Sequence, residues 1–575
     1  MLVLLLALQA SNGPGLVYHG RQGAREAAIP RVETQARVDG VLDEDVWGRA
    51  ARLTGFSQYL PVDGRPAEDS TDVLVWYAPD AIWFGIRAFE AHGPVVRATL
   101  ADRDNISADD HVQILLDTFN DRRRALVFAV NPLGVQQDGV RSEGLTGAAG
   151  GSNAGFRFDG VVDLNPDYVF ESRGRVTDAG YEVEVRVPFK SLRYQGTGTQ
   201  SWGLQLVRVT QHSAYEDTWT PVVRANASFL IQAGRLVGLT DLRRGLVMDV
   251  TPEYTTRVDG APRAAGYGYG TVDPSLGGTL RWGLTQNLSL TGTMNPDFSQ
   301  VEADVGQVTV NERFALFFPE KRPFFLEGLE QFDTPNALIY MRRIEQPVAG
   351  VKLTGKTGST GIAYLAAVDD PVASDRDVAF NLLRLRRDLG QSSHLGLAYT
   401  DRIQHDDYNR VLGADVRLVW RTIWFSEAQV VGSWTRDGAG TRAGHIWDVT
   451  LYDRTGRSYG NHGQVVGISP DFEAASGFVN RVGIVRGAFF NRFSWYGGPG
   501  ALLEQLTTFI GVEPIWRYDD FERLRSTLEG SLSQTLLFTL RGGWSASASW
   551  RNQHFRFDAP GYAGHQVDSA GTPVP

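Results

Sequence analysis

The chain has 575 residues, of which 42% are hydrophobic, carries a formal net charge of −10 and contains no cysteine. That length is too great for one compact core and calls for two or three domains, and the missing cysteine excludes disulfides, thiolate metal sites and cysteine nucleophiles. A negative balance without a basic block argues against nucleic acid as a partner.

Residues 1–15 hold an apolar run from Leu2 to Ala10 that ends in small residues, the pattern of a signal peptide, although no Lys or Arg precedes it. Export is the expectation. No later stretch reaches the roughly 18 apolar residues of a membrane helix. That test is blind to a membrane β-barrel, whose lipid-facing and lumen-facing residues alternate and average out.

From 29 to 222 the chain reads as a β-sandwich of short strands. Asp39-Gly40 predicts a tight turn before a short helical turn that buries Trp47. VLVWYAPDAIWFGIRAFE (73–90) predicts a hairpin joined at Ala78-Pro79-Asp80, and 109–139 a second one turned at Asn120-Asp121. In 180–194, Tyr181, Val183, Val185 and Val187 alternate with Glu182, Glu184 and Arg186, which predicts one buried and one wet face. Residues 202–211 predict another strand.

Residues 223–247 read as a linker, and the texture changes at 248. Segments such as NRVLGADVRLVW and WFSEAQVVGSWT alternate apolar with polar side chains, carry aromatics near their ends and are separated by turn residues. The fold class expected for the chain is therefore all-β: a sandwich followed by an antiparallel transmembrane β-barrel over 248–575, of roughly twelve to sixteen strands. The ending GYAGHQVDSAGTPVP is loop-like and has no terminal aromatic strand, so the barrel reads as open as written.

An insert at 295–335 interrupts this pattern. Its core, NPDFSQVEADVGQVTVNERFALFFPEKRPFFLEG (295–328), sets Phe314, Phe317, Phe318, Phe324 and Phe325 around Glu320-Lys321-Arg322, with Pro319 and Pro323 on either side. Proline lacks the amide a sheet ladder needs, so a regular central strand is excluded. The expectation is a luminal or plug element anchored by phenylalanines, in which Glu302, Asp304, Glu312, Glu320 and Glu327 face Arg313, Lys321 and Arg322.

This insert, together with LLDTFNDRR (115–123), VNPLGVQQDG (130–139), VPFKSLRY (187–194) and SPDFEAASGFVNRVG (469–483), resembles the DUF5916 family over most of the chain. The resemblance implies a carbohydrate-binding family 9-like (CBM9-like) sandwich ahead of an outer-membrane β-barrel. It implies architecture and no chemistry, because the family's activity is itself undefined.

Sugar recognition needs flat apolar faces with hydrogen-bonding groups beside them. The sandwich candidates are Trp76, Trp83 and Trp219 with Arg103, Asp109, Asp110, Asn131 and Gln136; Trp76 and its neighbour Tyr77 must face opposite sides of their strand. Asp102 and Asp104 with Asp109 and Asp110 offer oxygen ligands suited to calcium, although the spacing is not an EF-hand and an ordinary solvated turn is the favoured reading. HExxH, Walker A, GxSxG and paired-histidine motifs are all missing, so no enzyme signature is present. The expected function is binding or passage of a glycan-like or other extracellular solute at the outer membrane, among its lipids. An exported hydrolase acting on glycosidic bonds, or a barrel that translocates or displays its own sandwich, are the alternatives.

Overall fold

The structure, a computed structural model, describes residues 15–34, 36–143, 161–194, 198–243, 247–264, 266–298, 315–370, 377–556, 566–567 and 573–574. The signal-peptide segment lies almost wholly outside these residues, as do Glu302, Asp304, Glu312, Arg313 and Phe314 of the insert.

The amino-terminal half is a two-sheet sandwich. Its six-stranded sheet runs in the order Val17–His19, Ala51–Thr54, Thr71–Tyr77, Ala81–Phe89, Gly180–Pro188, Glu171–Thr177. The facing sheet runs Val161–Asp163, Gln136–Ser142, Arg124–Val130, His111–Asp117, Gln200–Thr210, Tyr215–Thr218, Ser57–Leu60, with Gly234–Leu239 and Glu26–Ala28 added beside Gln200–Thr210. Both expected hairpins form, with turns at 78–80 and around 118–123. Inward side chains such as Val73, Val75, Phe84, Val183 and Val185 meet Val112, Ile114, Phe128, Leu204 and Leu206 between the sheets. Alternation puts every second residue on the core side.

Two expectations are corrected here. Residues 223–247 are not a free linker, because Gly234–Leu239 pairs with Gln200–Thr210 and belongs to the sandwich. Glu184 is not on a wet face. The segment 32–50 lies over that side of the sheet, and Glu184 accepts the amides of Asp39 and Gly40, both at 2.8 Å, and the Trp47 indole N–H at 3.1 Å. Gly40 sits at φ +89°, a left-handed conformation that glycine adopts at no steric cost. The turn exists to aim two amides at one buried carboxylate, which burial pushes up to about 7.

Among the described residues the carboxyl-terminal half is built on an antiparallel sheet of fifteen strands from Met248–Arg257 to Ser545–Phe555, a number within the expected range, with two small two-stranded sheets, Gly260–Arg263 with Gly266–Tyr269 and Gln566–Val567 with Pro573–Val574, outside it. Successive strands pair in order, as in a barrel wall. Met248–Arg257 and Ser545–Phe555 each have one strand neighbour among the described residues. Along Asp407–Trp420 the buried positions are Asn409, Val411, Gly413, Asp415 and Arg417, while Leu412, Ala414, Leu418 and Trp420 are exposed. The next strand exposes Val430 and Trp434 and buries Gln429, Ser433 and Thr435. The inner face is mostly polar, with Val411 and Val431 among its apolar members, and the outer face is mostly apolar, with aromatics toward the strand ends and Arg410 and Arg436 exposed beside them.

The wall packs around the described residues of the insert, 295–298 and 315–346. The insert contains no strand among its described residues, only the short helix Pro323–Leu326 and two single turns. Phe324, Phe325, Phe332, Met341 and Ile344 pack on Ala363, Leu365, Val378, Phe380 and Leu382 of the wall. Leu338 packs further round, on Ala398, Val411, Val431 and Ile446.

Candidate functional site

The sandwich sits across one end of the wall, held by directional polar contacts to the strand-connecting turns. Lys356 of the wall bridges Asp121 of the sandwich and Asp388 of the next wall turn, and Arg123 reaches Asp388 at 3.1 Å. Further round, Glu504 takes Arg65 at 3.3 Å and the Tyr215 hydroxyl at 2.7 Å, and Arg457 pairs with Asp63 at 2.8 Å. Backbone groups join in: the amide of Ala227 donates to Thr422 O at 2.7 Å. Buried charges at such a contact are tolerated because each has a partner.

A cavity of about 530 Å³ lies where sandwich, insert and wall meet. Phe119, Tyr168 and Phe324 give it aromatic surface, and Arg124, Arg193, Arg281, Glu327, Glu330 and Lys356 give it charge. Arg124 pairs with Glu330 at 2.7 Å; Glu327 holds Arg193 and, at 3.0 Å, Arg281. This size is typical of small-molecule sites, and so is an apolar lining carrying a few placed polar groups.

Of the charged residues singled out from sequence in the insert, Lys321 and Glu327 line this cavity, beside Pro323 and Phe324. Glu320 and Arg322 do not. They pair at 2.7 Å as a buried staple, in which Arg322 also donates to the carbonyls of Ile344 and Met341 and lies over the rings of Phe298 and Phe325. At its far end the insert meets the loop 469–483. Tyr340 N donates to Ser476 O at 2.8 Å, Phe478 N to Ala337 O at 2.7 Å, and Phe317, Tyr340 and Phe478 form one aromatic cluster. The two segments that read as signatures in the wall half are therefore partners.

None of the eight sugar-site candidates in the sandwich lines the cavity, and three are corrected by burial. Trp76 and Trp83 stack on each other at 5.0 Å inside the small core under 32–50, and Trp219 is enclosed in the main core, so no ring face is open to a sugar. Trp76 and Tyr77 do point to opposite sides, into two different cores. The polar candidates anchor loops. Asp109 accepts from Thr99 N at 3.0 Å and Asn131 Nδ2 at 2.9 Å, and Asp110 accepts from Gln211 N at 2.7 Å. Arg103 binds Asp138 and Gln136, and Gln136 donates to Phe170 O.

The four aspartates weighed for calcium do not converge as a set. Asp104 is grouped instead with Asp138 and Asp167, where the Arg103 guanidinium already supplies the positive charge. Sequence reasoning missed the docking residues because Asn120 to Arg124 reads as a solvated turn. A signal was there in LLDTFNDRR and VPFKSLRY, which carry Asp121, Arg123 and Arg193.

Among solved structures the chain is similar to a family 9 carbohydrate-binding module from Caldicellulosiruptor kristjanssonii in complex with glucose, at 13% identity over 38% of this chain and 100% of that one, with a TM-score of 0.26. It is also similar to OccAB2 of Acinetobacter baumannii, at 9% identity over 77% and 91% of the two chains and a TM-score of 0.27. A third is OpdK of Pseudomonas aeruginosa with vanillate, at 10% identity over 78% and 93% and a TM-score of 0.26. The architecture stands on the strand pairing above rather than on these likenesses. No curated protein matches the chain. The model of DUF5916, a domain of unknown function, matches residues 262–360, which run from the first wall strands through the insert.

Proposed function

We propose that the chain is an outer-membrane barrel whose sandwich closes one mouth, and that it binds and passes a glycan-like or other extracellular solute through the cavity beneath. The observation that carries this reading is the wall. Leu412 is 44% exposed, Trp434 45% and Val430 66%, while Asp415, Arg384, Gln429 and Asp448 are buried and bonded inside. In water that arrangement would expose the wrong face; in a bilayer it is the stable one.

The balance of turn lengths supports a periplasmic rather than a surface-exposed sandwich. The sandwich end carries the connections 284–287, 358–359, 390–392, 421–423, 455–458, 497–502 and 541–544, whereas the other end carries the short turns 405–406 and 438–439 together with the insert and the longer connections 258–272, 370–377, 469–483 and 518–528. Outer-membrane barrels have short periplasmic turns and longer outer loops, so the sandwich faces the periplasm. The glycan preference rests on the cavity, where aromatic rings stand beside paired carboxylates and guanidinium groups, the chemistry that recognises hydroxyl-rich solutes.

Planar-bilayer recording tests the passage. The intact protein is expected to conduct weakly and a deletion of 311–328 to raise conductance; unchanged conductance counts against the insert as a barrier. Glycan-array binding by the full chain tests the solute class, and an empty array alongside measurable currents removes the glycan while leaving the pore.

A further inference from the structure

Away from the cavity, the sandwich brings Asp69, Glu90, His92 and His212 together at one corner, with one possible ligand atom from each lying within 4.8 Å of all the others. They come from three loops: the one before Thr71–Tyr77, the one after Ala81–Phe89, and the turn between Gln200–Thr210 and Tyr215–Thr218. We propose that these four side chains form a site for a divalent transition-metal ion of the zinc class.

The geometry is that of a prepared ligand set. Backbone amides hold one oxygen of each carboxylate: Ala91 N donates to Asp69 Oδ1 at 3.0 Å and His92 N to Glu90 Oε1 at 2.9 Å. The second oxygens point into the cluster. The Glu90 side chain is only 1% exposed, yet its Oε2 has no hydrogen-bond partner, and neither has His212 Nδ1 beside it. These two atoms are 3.6 Å apart, and so are His92 Nδ1 and Asp69 Oδ2, while His92 Nδ1 also lies 2.9 Å from Glu90 Oε1, a contact it would exchange for the ion. A separation of 3.6 Å is too long for a hydrogen bond. It is close to the separation of about 3.3 Å between neighbouring ligands in a tetrahedral site with bonds of about 2.0–2.1 Å.

A buried carboxylate oxygen left without a donor is costly, and an ion at the centre would satisfy both orphaned atoms at once. Two imidazoles with two carboxylates suit zinc better than calcium, which takes six to eight oxygens. Arg208, 4.0 Å from Glu90 Oε2, offsets part of the negative charge without filling the centre. The corner abuts the wall: neighbouring Glu68 faces Arg541 at 3.6 Å, and Ala214 lies under the Gly543 turn. A bound ion would fix three loops where the sandwich meets the last wall hairpin.

The test uses tag-free, full-length protein in detergent micelles, stripped with chelator and titrated with zinc by calorimetry and with cobalt by visible absorption. One ion per chain is expected, with a tetrahedral cobalt spectrum. His92→Ala and His212→Ala should each weaken binding by at least about 100-fold, since even loss of an outer-shell partner costs 10–100-fold. His92 is exposed, so its loss should leave circular dichroism unchanged. No saturable zinc binding, unchanged affinity in both variants, or binding of calcium but not zinc would overturn the proposal.

Discussion

The strand Gly180–Pro188 of the sandwich and the strand Asp407–Trp420 of the wall have the same alternation and opposite meaning. In the first, Val183 and Val185 are sealed between two sheets. In the second, the apolar Leu412 and Leu418 are left outside and the charged Asp415 and Arg417 are inside. The difference teaches that alternation identifies a two-faced strand, while the solvent decides which face is the inner one. The sandwich shows the further case in which both faces are covered, so that even Glu184 is enclosed.

Substitutions on the inner face of the wall should have the largest effect. Asp415 receives both terminal nitrogens of Arg384, and both residues are buried. Asp415→Leu strands that guanidinium and is expected to cost about 3–5 kcal/mol in chemical unfolding of vesicle-inserted protein. A loss within experimental error would mean that the inner face is wet enough to hydrate a lone arginine.

The outer face gives a smaller and more discriminating effect. Leu412→Arg should cost about 2–4 kcal/mol in the same measurement if the residue lies near the bilayer midplane. On a water-facing strand the same change would be nearly neutral, so a cost near zero would break the comparison.

The third effect separates the halves by pH. Burial pushes Glu184 and Asp217 up to about 7, and Asp138 to about 6. Each carboxyl binds its proton more tightly folded than unfolded, so the stability linked to it is full below the unfolded carboxylate range and is lost as pH rises through the folded value. The sandwich's unfolding midpoint, followed by tryptophan fluorescence, should therefore fall between pH 5 and pH 7.5. Glu184→Gln should make that slope shallower, by up to about 1.4 kcal/mol per pH unit at its steepest. A slope identical to that of the parent protein would show that Glu184 does not titrate in this window.

Much of this architecture was legible in the sequence. The Asp39-Gly40 turn, the two hairpins, the many-stranded wall and the non-strand insert all follow from local chemistry: special φ at glycine, period-two alternation and proline without an amide. The candidate site was far less legible. The buried tryptophans looked like sugar platforms because composition does not say whether a second layer lies over a sheet, as 32–50 does over Trp76 and Trp83. The docking charges looked solvated because their partners, such as Lys356 for Asp121, are more than two hundred residues away. The histidine and carboxylate corner is spread over three loops and leaves no spacing pattern at all.

A bilayer around the wall would place its apolar outer residues, such as Leu412, Val430 and Trp434, against lipid. The most direct test is membrane fractionation followed by gel electrophoresis with and without heating. A lipid-facing wall should put the protein in the outer-membrane fraction, in a compact, fast-migrating form that converts to a slower one on boiling. A soluble periplasmic pool with heat-independent mobility would contradict it.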